Sequence, residues 1–142
     1  MNGLTPRLMT RVVLIVCLGS FWDTIAVAQQ AQPHPQSRLE TAIAEAIRLL
    51  EAKEYKTFLT KFMAPDDYKR ITEAVAIDLL AEKFAGDRAE HFLKVLHYAK
   101  KQKPTLSEDG KLAVFNLDES LRLPNRDKLV FEQIDGLWYI RN

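Results

Sequence analysis

Cysteine is almost missing from this chain. Cys17 stands alone among 142 residues, inside an apolar N-terminal stretch. A chain cut behind that stretch keeps no disulfide, no thiol nucleophile and no thiolate metal ligand, so apolar burial must carry its stability. Glycine is also scarce. Beyond residue 28 only Gly86, Gly110 and Gly136 occur, and each is explained by a helix end or a turn. None is left for a loop that cradles phosphate. Neither sign of charge is in excess: 20 basic residues stand against 19 acidic ones. Without Arg7, Arg11 and Asp23 of the N-terminal stretch the formal charge of +1 becomes zero. That balance argues against a generic binder of nucleic acid or of anionic membranes, which needs a basic excess or stripe. The G-x-S-x-G and H-E-x-x-H motifs are absent, and with them two common hydrolytic chemistries. No motif implies a cofactor or a metal.

What is present begins with an address. Arg7 and Arg11 precede an apolar run over residues 12–22, and Ala26-Val27-Ala28 places small residues where a signal peptidase reads them. This three-part pattern predicts a secretory signal peptide over residues 1–28, cleaved near Ala28. A retained anchor is the competing reading, but the run falls short of the roughly 20 apolar residues a span needs, and Asp23 interrupts it. Val16 before Cys17 is not the small residue a lipid anchor expects. The expectation is an exported protein, periplasmic or secreted, that meets the membrane only through this segment. Residues 29–36, QQAQPHPQ, have nothing to bury and read as a flexible linker. His34 there reads as a solvated residue rather than a ligand.

Residues 37–142 read as a single α+β domain. Ser37 and Glu40 have the spacing of a capping box. Leu39, Ile43, Ala46, Ile47 and Leu50 then share one helical face, and Tyr55, Phe58, Leu59 and Phe62 continue it at a shifted phase. This predicts a long helix bent near Lys53 and ending by Ala64. Pro65 restarts a short turn whose Asp66 and Asp67 face free amides rather than a metal. Ile77, Leu80, Ala81 and Phe84 mark another helix, stopped by Ala85-Gly86. Asp87 and Glu90 repeat the capping-box spacing before the stripe Ala89, Phe92, Leu93, Leu96 and Ala99. The basic tail Lys100, Lys101 and Lys103 suits the negative end of that helix.

From Thr105 the apolar period changes from helical to two. Asp109-Gly110 and Asp135-Gly136 each read as a two-residue hairpin loop. The second fixes Ile134 opposite Leu137, Gln133 opposite Trp138, Glu132 opposite Tyr139 and Phe131 opposite Ile140. Leu129, Phe131, Trp138 and Ile140 then share a face with Leu106, Ala113, Phe115 and Leu117. Pro124-Asn125 predicts a turn between the hairpins, with Leu121 and Leu123 extending a strand. The expected fold is N-terminal helices packed on one face of a four-stranded antiparallel meander sheet. The other face carries Leu112, Val114, Val130, Ile134 and Tyr139, too apolar for full solvation. It predicts a cover, either a second copy of the chain in a homodimer or another segment.

The stretches "LEAKEYKTFLTKFMAPDDYKRI", "SEDGKLAVFNL" and "LVFEQIDGLWYIRN" resemble small exported bacterial domains of the nuclear transport factor two-like, or cystatin-like, superfamily. The resemblance covers most of residues 38–142 as a pattern of hydrophobics and turns. It implies a pocket between helices and curved sheet, and dimerisation through the outer sheet surface. It also implies a second functional reading, a small-pocket lyase or isomerase, because enzymes of the superfamily place Asp, His or Tyr inside the cone. No position here matches such a motif, so no catalytic residue carries over, and the chain lacks the early strand or hairpin that many members have.

Candidate ligand contacts are few. Trp138 and Gln133, paired at the turn end of the inner face, offer an aromatic plate beside a polar group. Tyr98 is a possible hydrogen-bond donor. His91 and His97 lie six residues apart, which at about 100° per residue points them away from one another and excludes a metal pair on one helical face. The reading that follows is a non-catalytic binding or interaction module with a small molecule, a protein or itself as partner, and the isomerase or lyase as the alternative.

Overall fold

The computed structural model describes residues 33–141. The segment read as a signal peptide, and the start of the linker, lie outside the described residues. Five helices precede a four-stranded antiparallel sheet: α1 Leu39–Glu51, α2 Tyr55–Phe62, α3 Pro65–Ala74, α4 Ile77–Phe84 and α5 Asp87–Lys101, then β1 Thr105–Leu106, β2 Leu112–Asn116, β3 Lys128–Ile134 and β4 Leu137–Ile140. The strands lie in the order β1-β2-β3-β4. This is the α+β meander that the change of period predicts.

The helical pattern is cut where its phase shifts. Lys53 takes a left-handed conformation, φ 58°. The amide of Lys53 donates to the Leu50 carbonyl and that of Glu54 to the Leu49 carbonyl, the paired bonds of a Schellman closure. The expected bend is therefore a full break into α1 and α2. After Pro65 the chain forms a ten-residue helix rather than a short turn, since nothing up to Ala74 opposes propagation.

Neither capping box forms. Pro35–Ser37 make a turn of 3-10 helix, so Ser37 is already committed and Arg38 becomes the N-cap of α1 without a side-chain bond. Thr41 instead donates its hydroxyl to the carbonyls of Pro35 and Arg38, at 2.6 and 3.0 Å. At α5 the cap is Gly86, φ 75° and ψ −136°, a region closed to side chains. Asp87 and Glu90 thus lie within the first turn, where they act on the helix dipole.

Packed structure also starts earlier than the linker reading allows. Gln36 is buried, with 3% exposure. Its amide nitrogen donates to the Lys61 carbonyl at 2.8 Å and to the Trp138 carbonyl at 2.9 Å. Met63 pairs with Ile140 in a single parallel bridge. Together they close the outer edge of β4, an edge that would otherwise offer free backbone groups to another chain.

The second hairpin has the expected register, Phe131↔Ile140 through Ile134↔Leu137. Asp135 and Gly136 both have positive φ, 50° and 79°, as a two-residue loop matched to sheet twist requires. The first hairpin keeps the expected pair Leu106↔Ala113 but turns differently. The Gly110 amide donates to the Ser107 carbonyl, so the chain reverses through residues 107–110 and only Gly110 is left-handed. The Asp109 carboxylate accepts from the Ser107 hydroxyl and the Lys111 amide, a local turn that competes with the shorter loop. Between the hairpins Leu121 ends a 3-10 turn, and Leu123 bridges only to Arg126 around Asn125, φ 63°. No further strand forms there.

The core lies between α1, α2, α5 and the inner sheet face. Ala113, Phe115, Leu117, Leu129, Phe131, Trp138 and Ile140 are all buried, as are Ile43, Ile47, Leu50, Phe62, Val95 and Leu96. Each large side chain there contributes roughly 1.5–3 kcal/mol. Leu106 is the exception on this face. It is 55% exposed, because β1 lies at the free edge beyond the helices.

Candidate functional site: a cleft under two helices and a basic groove

Five aromatic rings gather where α2, α4 and α5 meet. Phe58 stacks on Phe62 and on Phe84, each with ring centres 5.6 Å apart, and meets Phe92 edge-on at 5.8 Å. Tyr55 lies edge-on to Phe84 at 6.1 Å. The helical period of α2 puts Phe58 and Phe62 on one face, and α4 and α5 bring Phe84 and Phe92 to them. These rings do not fill the space they enclose. A cleft of about 230 Å³ remains, walled by Phe58, Phe62, Phe84 and Phe92 with Ile71 and Leu80 from α3 and α4. Ile140 contributes from β4, and the two charged residues of the lining are Lys83 and Arg88.

The cleft adjoins a wider groove of about 720 Å³, and the two share Phe84, Arg88, Phe92 and Ile140. One bank is the start of α5, with Asp87, Arg88 and His91. The other is residues 122–126 and the sheet ends, with Arg122, Arg126, Lys128 and Arg141. Leu129, Leu123 and Phe92 supply apolar surface. His91 ties the banks together: its Nε2 lies 3.0 Å from the Arg122 carbonyl oxygen. A carbonyl only accepts, so Nε2 carries the proton and donates.

Five cations line this groove against the one carboxylate of Asp87. Arg141 is partly neutralised by Glu132 at 3.5 Å, and Arg126 donates to the Arg141 carbonyl at 3.0 Å. Arg88, Arg122 and Lys128 take part in none of the ion pairs among the described residues. Among those residues no group of three His, Cys, Asp or Glu is arranged to hold a metal ion.

Of the residues singled out from sequence, Val130 borders the groove, and the rest of the predicted ligand contacts and outer-face residues lie elsewhere. Trp138 and Gln133 pair as expected, but Trp138 is packed in the core at 7% exposure, and neither lines the cleft or the groove. Tyr98 is half-buried on α5 and packs against the core. Desolvation, with the nearby Asp118 carboxylate as the next cause, pushes its phenol up from the ordinary value. The structure does not bring Tyr98 together with the Trp138–Gln133 pair at a cavity. Leu112, Val114, Val130, Ile134 and Tyr139 are all half-buried, and all but Ile134 have a buried neighbour in the strand. They share the sheet face turned from the helices. Tyr139 and Leu137 border a shallow depression with His34, Met63, Pro65 and Tyr68, so part of that face has a rim from its own chain. His97 faces Glu51 at 3.3 Å on the surface.

The basic groove escapes a composition-based reading because the charges of the whole chain cancel. Its local trace is the run RLPNRDK, residues 122–128, where Arg122, Arg126 and Lys128 outnumber Asp127. Arg88 and Arg141 lie far from it along the chain. The cleft residues Phe58, Phe84 and Phe92 are visible in sequence only as core positions. No family model, curated protein or solved structure matches the chain.

Proposed function

We propose that this protein is an exported, non-catalytic binding module that takes a small molecule with an apolar part into the cleft between α2, α3, α4 and α5. The observation that carries the reading is an unfilled apolar space of about 230 Å³. A hydrocarbon-lined cavity of about 150 Å³ is enough to hold benzene, so a medium alkyl chain or a two-ring body matches the space. The lining supports binding over catalysis. An isomerase or lyase needs an ionisable group poised near neutrality inside the pocket, whereas the charged lining residues are Lys83 and Arg88, both exposed. Export rests on the Arg7–Ala28 pattern. The helices over an antiparallel meander, with a cleft at one end, are compatible with the nuclear transport factor two-like resemblance, which we retain as part of this proposal.

Calorimetric titration with 1-octanol, a neutral probe, tests it. Saturable binding to the wild type, abolished by Leu80→Trp, is the expected result. No saturable binding of 1-octanol or of 1-naphthol by a folded wild type would remove the reading.

A further inference from the structure

We infer that the ligand is a single-chain amphiphile with an anionic end, whose body lies in the apolar cleft and whose oxyanion meets the basic groove. This deepens the cleft reading and rests on it. Arg88 is the hinge of the inference, because it lines both spaces. A body seated among Phe58, Phe84 and Phe92 brings its polar end beside the Arg88 guanidinium. Across the groove stand Arg122, Arg126, Lys128 and Arg141. A guanidinium presents a rigid fork of donors that matches a carboxylate, sulfonate or phosphate, often through two parallel bonds.

The charge pattern is a segregation, not a bulk property. The whole chain carries a formal charge of only +1, yet five cations and one carboxylate share this groove. Like charges held together on low-dielectric walls raise a positive potential that an incoming anion relieves. The floor between them is apolar, with Phe84, Phe92, Leu129 and Ile140. A divalent cation is repelled by such a surface. A free inorganic anion leaves the cleft empty, and a neutral hydrocarbon leaves Arg88, Arg122 and Lys128 without a counter-charge. Only a molecule with both characters satisfies both spaces.

The test compares three probes of equal chain length, octanoate, 1-octanol and octyltrimethylammonium, titrated calorimetrically below their aggregation thresholds into the chain lacking residues 1–28. Octanoate is expected to bind about tenfold more tightly than octanol, as one charge-assisted contact supplies, with the cation weakest. Raising ionic strength from about 0.02 to about 0.3 M should shrink the octanoate preference and leave octanol unmoved. Arg88→Gln and the pair Arg122→Gln with Lys128→Gln should each lower octanoate affinity about tenfold without changing octanol. All three positions are exposed, so these variants are expected to melt like the wild type. Lys100→Gln, exposed at the far end of α5, should change neither probe. Equal binding of octanol and octanoate overturns the anionic end and leaves the cleft reading intact. Failure of both probes overturns the two together. An octanoate preference untouched by the Arg88 and Arg122/Lys128 variants overturns the groove as its site. Binding to vesicles of anionic phospholipid without binding to free octanoate also overturns it, in favour of a membrane surface.

Discussion

Helices α1 and α3 differ in how they earn their place. Helix α1 buries Ala42, Ile43, Ala46, Ile47, Leu49 and Leu50 against α5 and the sheet. Helices α3 and α4 bury no residue fully, and Leu79 of α4 is 45% exposed. Their apolar side chains, Ile71 and Leu80 among them, are half-buried because one side of each faces the cleft. The only ion pair from either helix to another element among the described residues is Lys56 with Asp78 at 2.7 Å, and an exposed pair of this kind contributes about 1 kcal/mol or less. The comparison separates two uses of the same amphipathic pattern. Where both partners close on each other, the stripe builds a core. Where a gap is left, the same stripe lines a cleft, and the element that carries it is held more weakly.

The comparison can be broken first in the core. Phe131 is fully buried and Trp138 nearly so. Alanine at either position should cost about 3–5 kcal/mol by chemical denaturation. An unchanged denaturation midpoint would contradict the face assignment. Next comes the edge closure. Gln36→Ala removes both donors to Lys61 and Trp138 and leaves two backbone acceptors short, for a loss of about 1–3 kcal/mol. If the N-terminal turn were a mere tether, the loss would be nil. On the other side of the comparison, Leu80→Ala should cost only about 1 kcal/mol, since its side chain is incompletely buried and borders the cleft. Amide exchange should then be fastest in α3 and α4 and slowest in α5, β2 and β3. Uniform protection across the helices would erase the distinction. Lys53→Gly should act in the opposite direction, stabilising by about 1 kcal/mol or less, because glycine accepts the left-handed conformation at the α1–α2 break without a steric cost.

The smallest effect is a pH dependence that arises in α1 and in the first hairpin turn, not in α3 or α4. Two hydrogen bonds from Arg48, at 2.7 and 2.9 Å, hold the Glu45 carboxyl below its usual range. The Ser107 hydroxyl, ahead of the Lys111 amide, does the same for Asp109. Both carboxyls bind a proton less readily folded than unfolded. Their contribution is therefore complete above the ordinary carboxylate pKa of about 4 and is lost as pH falls through the lower folded values. Melting temperature should hold from neutrality to about pH 5 and decline below about pH 4. Glu45→Gln should flatten part of that decline, and an identical acid slope in the variant would assign it to other groups.

Much of the fold could be read from neighbouring residues. The change of period at Thr105, the shift of helical phase near Lys53 and the pairing around Asp135-Gly136 each depend on patterns a few residues long, though the phase shift reads as a bend where the chain makes a full break. Two departures come from competition at the same short range. A 3-10 turn at Pro35–Ser37 displaced the first capping box, and the Asp109 carboxylate drew the first hairpin into a longer reversal. The candidate site was less legible. Its aromatic walls carry the same signature as a filled core, and the pair of Trp138 and Gln133 was prominent for a reason that packing explains as well.

The sequence by itself determined the order of elements, the register of the last hairpin and which faces are apolar. Backbone periodicity and turn sterics act locally, so they leave local traces. The tertiary structure decided what those faces meet. Gln36 reaches the Trp138 carbonyl across 102 residues, and Arg88 comes to share a groove with Arg122 and Arg141. Such meetings depend on how helices are set against a twisted sheet and on how completely side chains fill the space between them. A gap of about 230 Å³ is the remainder of that packing, to which many distant residues contribute and which no short stretch of sequence encodes.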